Sequence, residues 1–391
     1  MDWLNRERLT VYPKIVCITY LLVLGYLYLT GSGLTDGRGD PIGGDFSHYW
    51  VASSLALKGE PAAVYHATSF LAAQKEVFGV KVPLIWLYPP TYLLLVWPLA
   101  LLPYLISLGL WLSSTLAGFL LVLRRIAPHP LTIWLALAFP GTFQNLIHGQ
   151  NGFLSGLLMG AGLLVLDQAP IVAGLLFGLL SYKPHFVILI PLALVAGRRW
   201  RALLSLMVSS GCLLLASVLV WGTDVWGAFR HDLPSVLQIL ETGKLGANVM
   251  VSTPKMPTLY AAVLLAGGAL WLAQLLQVVL MLATAGLVVW VWSRRASPAV
   301  RAAVLVLCIL LFPPYAFIYD LTILALPLAW LGWEGYREGW LPGERAGLFL
   351  SFLTPILVPI LAKTLNLQIT PLVLLVLLAL ALRRMLLKTA G

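Results

Sequence analysis

The chain has 391 residues, 60% of them hydrophobic and 10% charged, with a mean hydropathy of +0.92. That is more apolar side chain than a soluble core can hide. It falls in Leu-, Val- and Ala-rich runs of bilayer length, without the ten-residue alternation of an outer-membrane barrel, and so predicts an all-α polytopic membrane protein. The net charge of +10 would suit nucleic acid in a soluble protein, but here the basic residues sit at span ends, so no nucleic-acid partner is implied.

The first apolar stretch, 15–30, has no Ala-x-Ala cleavage signal and reads as a retained span over 13–31. A long loop, 32–90, follows, with helical patterns at 47–57 and 68–78 separated by Pro61, and ends in Tyr88-Pro89-Pro90. Residues 91–101 are apolar but short: eleven helical residues rise about 16 Å against a hydrocarbon core of about 30 Å. These segments are expected to be interfacial or half-inserted helices. Further spans are predicted at 104–123, 130–147, 151–166, 169–182, 184–197, 202–221, 271–293, 298–312, 317–333, 346–363 and 370–387. The total is about 12 transmembrane helices (roughly 10–13) in a single membrane domain over 1–391. A second long loop, 222–258, has the amphipathic mix of another interfacial helix. Cys17, Cys212 and Cys308 lie in apolar runs without ligand spacing, so neither disulfide nor metal is implied.

The segment 171–197 is either one long span or two short ones broken at Lys183-Pro184. Charge separates the two. A single crossing would put Arg198, Arg199, Arg201, Arg294, Arg295, Arg383 and Arg384 opposite Arg6, Arg8, Arg124 and Arg125, against the positive-inside rule. A helical hairpin puts all of them on one face, with 16 Lys or Arg inside and 9 outside. Both termini are then cytoplasmic in the plasma (inner) membrane, and the short polar clusters all face outward.

Those clusters hold the candidate chemistry, because ionisable residues in a membrane chain are costly to keep. Asp45, after two glycines, suits a general base or simply an N-cap for the next helix. Lys183, followed by Pro184 and His185, needs an anionic partner: a substrate phosphate, or Asp45 or Asp320 as a structural alternative. His148, Gln150 and Asn151 form a hydrogen-bonding cluster suited to hydroxyls or phosphate oxygens, with capping as the plain role for Asn151. Asp320, beside Tyr315 and Tyr319, suits a site or a helix N-terminus. His48, His185 and His231 lack metal-ligand spacing. No nucleotide-binding loop is present, so no cofactor is expected.

The order of these clusters resembles glycosyltransferase family 87. The residues that carry the likeness are Gly44-Asp45-Phe46 with Tyr49, Ala52, Leu57, Gly59 and Tyr65; Tyr88-Pro89-Pro90 with Pro98-Leu99 and Pro103; Gly149-Gln150-Asn151; Gly174, Gly178 and Lys183-Pro184; and Tyr319-Asp320. The resemblance spans about 40–330 and implies a GT-C-like bundle that moves a hexose, mannose above all, from a polyprenyl-phosphate carrier to a lipid or glycan acceptor on the extracytoplasmic face, with inversion. It implies Asp45 as catalytic base and Lys183 with His185 at the donor phosphate. Tyr49, Tyr88, His148, Gln150, Asn151, Tyr319 and Asp320 become substrate contacts. Some relatives have a histidine near the position of Tyr319. The competing class is a lipid or sugar transporter or flippase, whose internal repeats and paired interrupted spans are not visible here; a non-catalytic scaffold is a third reading.

Overall fold

The computed structural model describes residues 6–79, 86–242, 244–245, 249–250 and 253–390, so parts of both long loops lie outside the described residues. The fold is helical: α1 (Arg6–Leu29), α2 (Phe46–Leu57), α3 (Ala67–Phe78), α4 (Pro90–Val96), α5 (Tyr104–Ile126), α6 (Leu131–Ala138), α7 (Pro140–His148), α8 (Gly152–Val165), α9 (Pro170–Leu179) and α10 (Pro184–Val187). It continues with α11 (Leu189–Ala196), α12 (Trp200–Trp221), α13 (Thr223–Thr242), α14 (Leu259–Leu265), α15 (Leu270–Trp292), α16 (Pro298–Leu311), α17 (Ala325–Glu338), α18 (Glu344–Leu365) and α19 (Thr370–Ala390). Among the described residues the strand content is one two-residue antiparallel ladder, Lys244–Leu245 with Val249–Met250.

Among the described residues, six helices are long and apolar enough to cross a bilayer: α1 from Glu7, α5, α12, α15, α18, and α19 as far as Leu387. Length alone therefore does not reach the expected dozen. The other apolar segments, among them Gly152–Val165, Pro170–Tyr182, Pro184–Ala196 and Pro298–Leu311, are shorter, and several expected spans are interrupted, the one at 184–197 dividing into α10 and α11. The span at 130–147 divides at Phe139-Pro140, where proline has no N–H to continue α6 and starts α7 instead. The one at 317–333 opens as a 3-10 helix, Ile318–Leu324, before α17.

The direction of each leg follows from which residues touch. Ser205 donates to the Ile171 carbonyl at 2.7 Å and Ser209 to the Leu175 carbonyl at 3.1 Å, so α9 and α12 run parallel. Gly174 and Gly178 permit this, since a Cβ on either would strike α12. Asp167, before α9, pairs with Arg199, before α12, and lies 3.9 Å from Arg301 of α16. The chain therefore turns back at Lys183-Pro184, as the hairpin reading requires.

The same reasoning sorts the basic residues. Gly118 and Gly160 place α5 parallel to α8, bringing Arg124 and Arg125 to the Asp167 end. His129 meets Tyr336 of α17. Arg384 of α19 bonds Glu344 and the Gly339 carbonyl. Lys14 lies over Trp134, and Tyr20 donates to Ala138, so α1 starts at that end too. The bundle thus has a basic end and, opposite it, an end where Asp45, Gln150, Lys183 and Asp320 gather.

Candidate functional site at the polar end

Five turns build the site. The first is Gly43-Gly44-Asp45 before α2, and it packs on the turn after α7. There Gly149 has φ +58, and a Cβ would lie 2.6 Å from both the Gly43 carbonyl oxygen and the Phe46 Cβ, so both conformation and space require glycine. This close approach brings Asp45 to Gln150, whose Nε2 donates to Asp45 Oδ2 at 2.6 Å. Asp45 occupies the N-cap position of α2 but makes no side-chain capping bond. Its carboxylate is half-buried.

Gln150 leads inward. Its Oε1 accepts from the Tyr49 hydroxyl and from the Asn151 backbone N–H at 3.2 Å, and lies 3.3 Å from the Tyr88 hydroxyl. Asn151 Nδ2 donates to the hydroxyls of Tyr88 at 3.0 Å and Tyr92 at 3.1 Å, while its Oδ1 is buried without a partner. The cap expected of Asn151 is made by Asn145, whose Oδ1 accepts from Gly152 N–H at 2.8 Å.

Lys183 and Asp320 meet on the other side of the aromatic cluster. Lys183 Nζ lies 2.6 Å from Asp320 Oδ1, with both residues 2% exposed. Asp320 Oδ2 also accepts from the Phe317 backbone N–H at 2.9 Å, which anchors the start of the 3-10 helix. The ammonium sits 4.9 Å from the Phe186 ring centre and 5.8 Å from that of Tyr319. The structural alternative for Lys183 and the helix-start role of Asp320 are therefore both realised. His185 Nε2 is buried without a hydrogen-bond partner.

Aromatic rings join the halves. Tyr92 stacks on Tyr182 at 4.8 Å, and Tyr182 bonds Ser155 at 2.9 Å. Tyr88 lies 4.3 Å from Tyr92. His148 faces Tyr319 at 6.1 Å, and its Nδ1 donates to the Gln144 carbonyl at 2.8 Å. Burial drives the Tyr88 phenol well above its ordinary pKa, and both Asp320 and Asp45 push the same way, so Tyr88 stays a neutral donor between two carboxylates.

A profile of glycosyltransferase family 87 matches residues 86–314, more than half of the chain. The chain belongs to that family. No curated protein and no solved structure matches it. As a family 87 member with several bilayer-length apolar helices, it is a multi-pass membrane glycosyltransferase that takes a sugar donor and an acceptor. The matched stretch holds Tyr88, His148, Gln150, Asn151, Lys183 and His185; Asp45, Tyr49, Tyr319 and Asp320 lie beyond its ends but join the same cluster.

The ten residues proposed for the site from the sequence lie in this one cluster of the family 87 bundle. Tyr49 and Gln150, however, are enclosed, 0% and 1% exposed, behind Asp45. Sequence reasoning missed Tyr92 and Asn145 as members. Tyr92 lies in the first turn of α4, directly after Tyr88-Pro89-Pro90, and that closeness in sequence could have flagged it.

Proposed function

We propose that this family 87 enzyme moves a hexose, with mannose the leading candidate, from a polyprenyl-phosphate carrier to a hydroxyl of a lipid or glycan acceptor on the extracytoplasmic face of the plasma membrane. The observation that carries the reading is a half-buried carboxylate, Asp45, oriented by an amide in a cluster that also holds Lys183. The acceptor oxygen attacks the anomeric carbon while its proton passes to Asp45. The bond from that carbon to the phosphate oxygen breaks, and the phosphate leaves with the electron pair. Inversion follows from attack opposite the leaving group, and a phosphate needs no general acid. Lys183, with His185 beside it, supplies positive charge for the developing phosphate. Tyr88, His148 and Tyr319 line the sugar side, and Asn151, enclosed behind them, holds the Tyr88 hydroxyl.

The outward placement rests on charge. The legs alternate ends if the short helices count as crossings, giving twelve within one membrane domain, with 32–90 and 222–258 as its long outer loops. The basic end, with Arg124, Arg199, Arg301 and Arg384, then faces the cytoplasm together with both termini. Nucleotide sugars are absent outside, which favours a lipid-linked donor. In a background lacking Cys17 and Cys212, Asp40→Cys is expected to react with an impermeant thiol reagent in intact cells and Arg295→Cys only after lysis; both positions are exposed, at opposite ends. Reversed labelling removes the extracytoplasmic site.

The activity is tested with purified protein, radiolabelled polyprenyl-phosphate mannose or glucose, and host membrane lipids as acceptors. A labelled, inverted glycoside is expected. Intact donor carried across liposomes with no glycoside formed would overturn the enzyme reading in favour of a transporter.

A further inference from the structure

We infer that Gln150 is the positioning residue for Asp45: its side-chain amide is locked in one orientation and fixes which carboxylate oxygen is free to take the proton. The inference rests on the base role of Asp45 and deepens it.

The lock follows from donors and acceptors. A backbone N–H can only donate, so the Gln150 atom opposite the Asn151 N–H must be the carbonyl oxygen. The Tyr49 hydroxyl donates to the same oxygen and in turn accepts from the Tyr88 hydroxyl at 2.9 Å, while the Tyr88 oxygen accepts from Asn151 Nδ2. With Oε1 held inward, Nε2 faces Asp45 and donates to Oδ2. Flipping the amide would set its N–H groups against the Asn151 N–H and a carbonyl against a carboxylate, two buried mismatches. The backbone is clamped as well: Asn145 Nδ2 donates to the Gln150 carbonyl at 3.0 Å, and Gln150 N–H to the Asn145 carbonyl at 3.1 Å.

The consequence concerns Asp45 alone. One oxygen is committed to Gln150, and the other is left for an acceptor hydroxyl. Other groups within electrostatic reach are His48, Tyr88, Tyr104 and Tyr319, with His148 packed against the Gly44 turn. Burial holds the His48 imidazole down to about 4 against the opposing pull of Asp45, so His48 is neutral at working pH and does not replace the amide.

Gln150→Glu separates the roles. It keeps an oxygen for Tyr49 and the Asn151 N–H, so the inner network survives, but puts an oxygen in place of Nε2 against Asp45. With polyprenyl-phosphate mannose as donor, kcat near neutral pH is expected to fall at least roughly tenfold, with KM within about twofold and the acid limb moved up by about one pH unit or more. A raised KM with an unmoved profile would make Gln150 a substrate contact, and an equal loss at every pH would make it structural; either overturns the inference. A second measurement needs no substrate: carbodiimide-driven amidation of Asp45 in detergent, followed by peptide mass spectrometry against pH. Amidation is expected to persist to higher pH in Gln150→Glu than in wild type, and coincident curves overturn the proposal. If the labelling shifts while wild type transfers no sugar, the positioning stands and the glycosyl-transfer reading falls.

Discussion

Asp45→Asn protein is expected to fold and to bind donor lipid, yet to transfer sugar about 10² to 10⁴ times more slowly than wild type, the usual contribution of a positioned proton transfer. The substitution is conservative in every respect but one. Asparagine fills the same volume at the head of α2 and can turn its carbonyl oxygen to the Gln150 Nε2 that now meets Oδ2. Helix capping is not at stake, because the Asp45 side chain makes no capping bond and asparagine caps as well as aspartate. What the amide lacks is basicity. Single-turnover transfer with donor in excess, alongside equilibrium binding of the same lipid, separates the chemical step from recognition. Transfer at the wild-type rate would return Asp45 to a turn residue.

Much of this arrangement is legible before any coordinates. The ends of α5, α8, α12, α15 and α16 fall within a few residues of where apolar runs meet Pro, Gly or Arg, since the bilayer imposes a length and proline a boundary. The hairpin at Lys183-Pro184 follows from charge alone, and the Asp167–Arg199 pair bears it out. What periodicity could not give is partner choice. That Lys183 takes Asp320, 137 positions away, depends on how α9, α10 and the Ile318–Leu324 turn pack. Likewise, Gln150 reads as a free polar residue beside Asn151, and only the approach of Gly43 to Gly149 reveals that Asp45 claims it. Breaks such as Phe139-Pro140 escaped because residues 133–139 before it are all apolar and a span-length window averages over a kink.

The Lys183–Asp320 pair sets a sharper test than a single replacement can. Lys183→Ala leaves Asp320 buried with only the Phe317 N–H for its charge, and breaking such a pair on one side destabilises by about 3 to 5 kcal/mol. Lost activity in that variant would therefore mix unfolding with donor binding. In Lys183→Met/Asp320→Asn, methionine occupies the space beside Phe186 and Tyr319, and asparagine still offers an oxygen to Phe317 N–H. Thermal unfolding in detergent, followed by tryptophan fluorescence, is expected to show the double variant regaining most of the loss, because a neutral pair avoids the buried unpaired charge. Donor use is not expected to return: without the ammonium, the phosphate-linked donor proposed above would lose one partner of a desolvated charge contact, about 2 to 4 kcal/mol. Stability and donor use thus part company in one protein. If the double variant is as stable as wild type and turns over donor normally, Lys183 serves the fold alone, and the charge that meets the phosphate must be sought elsewhere at the polar end.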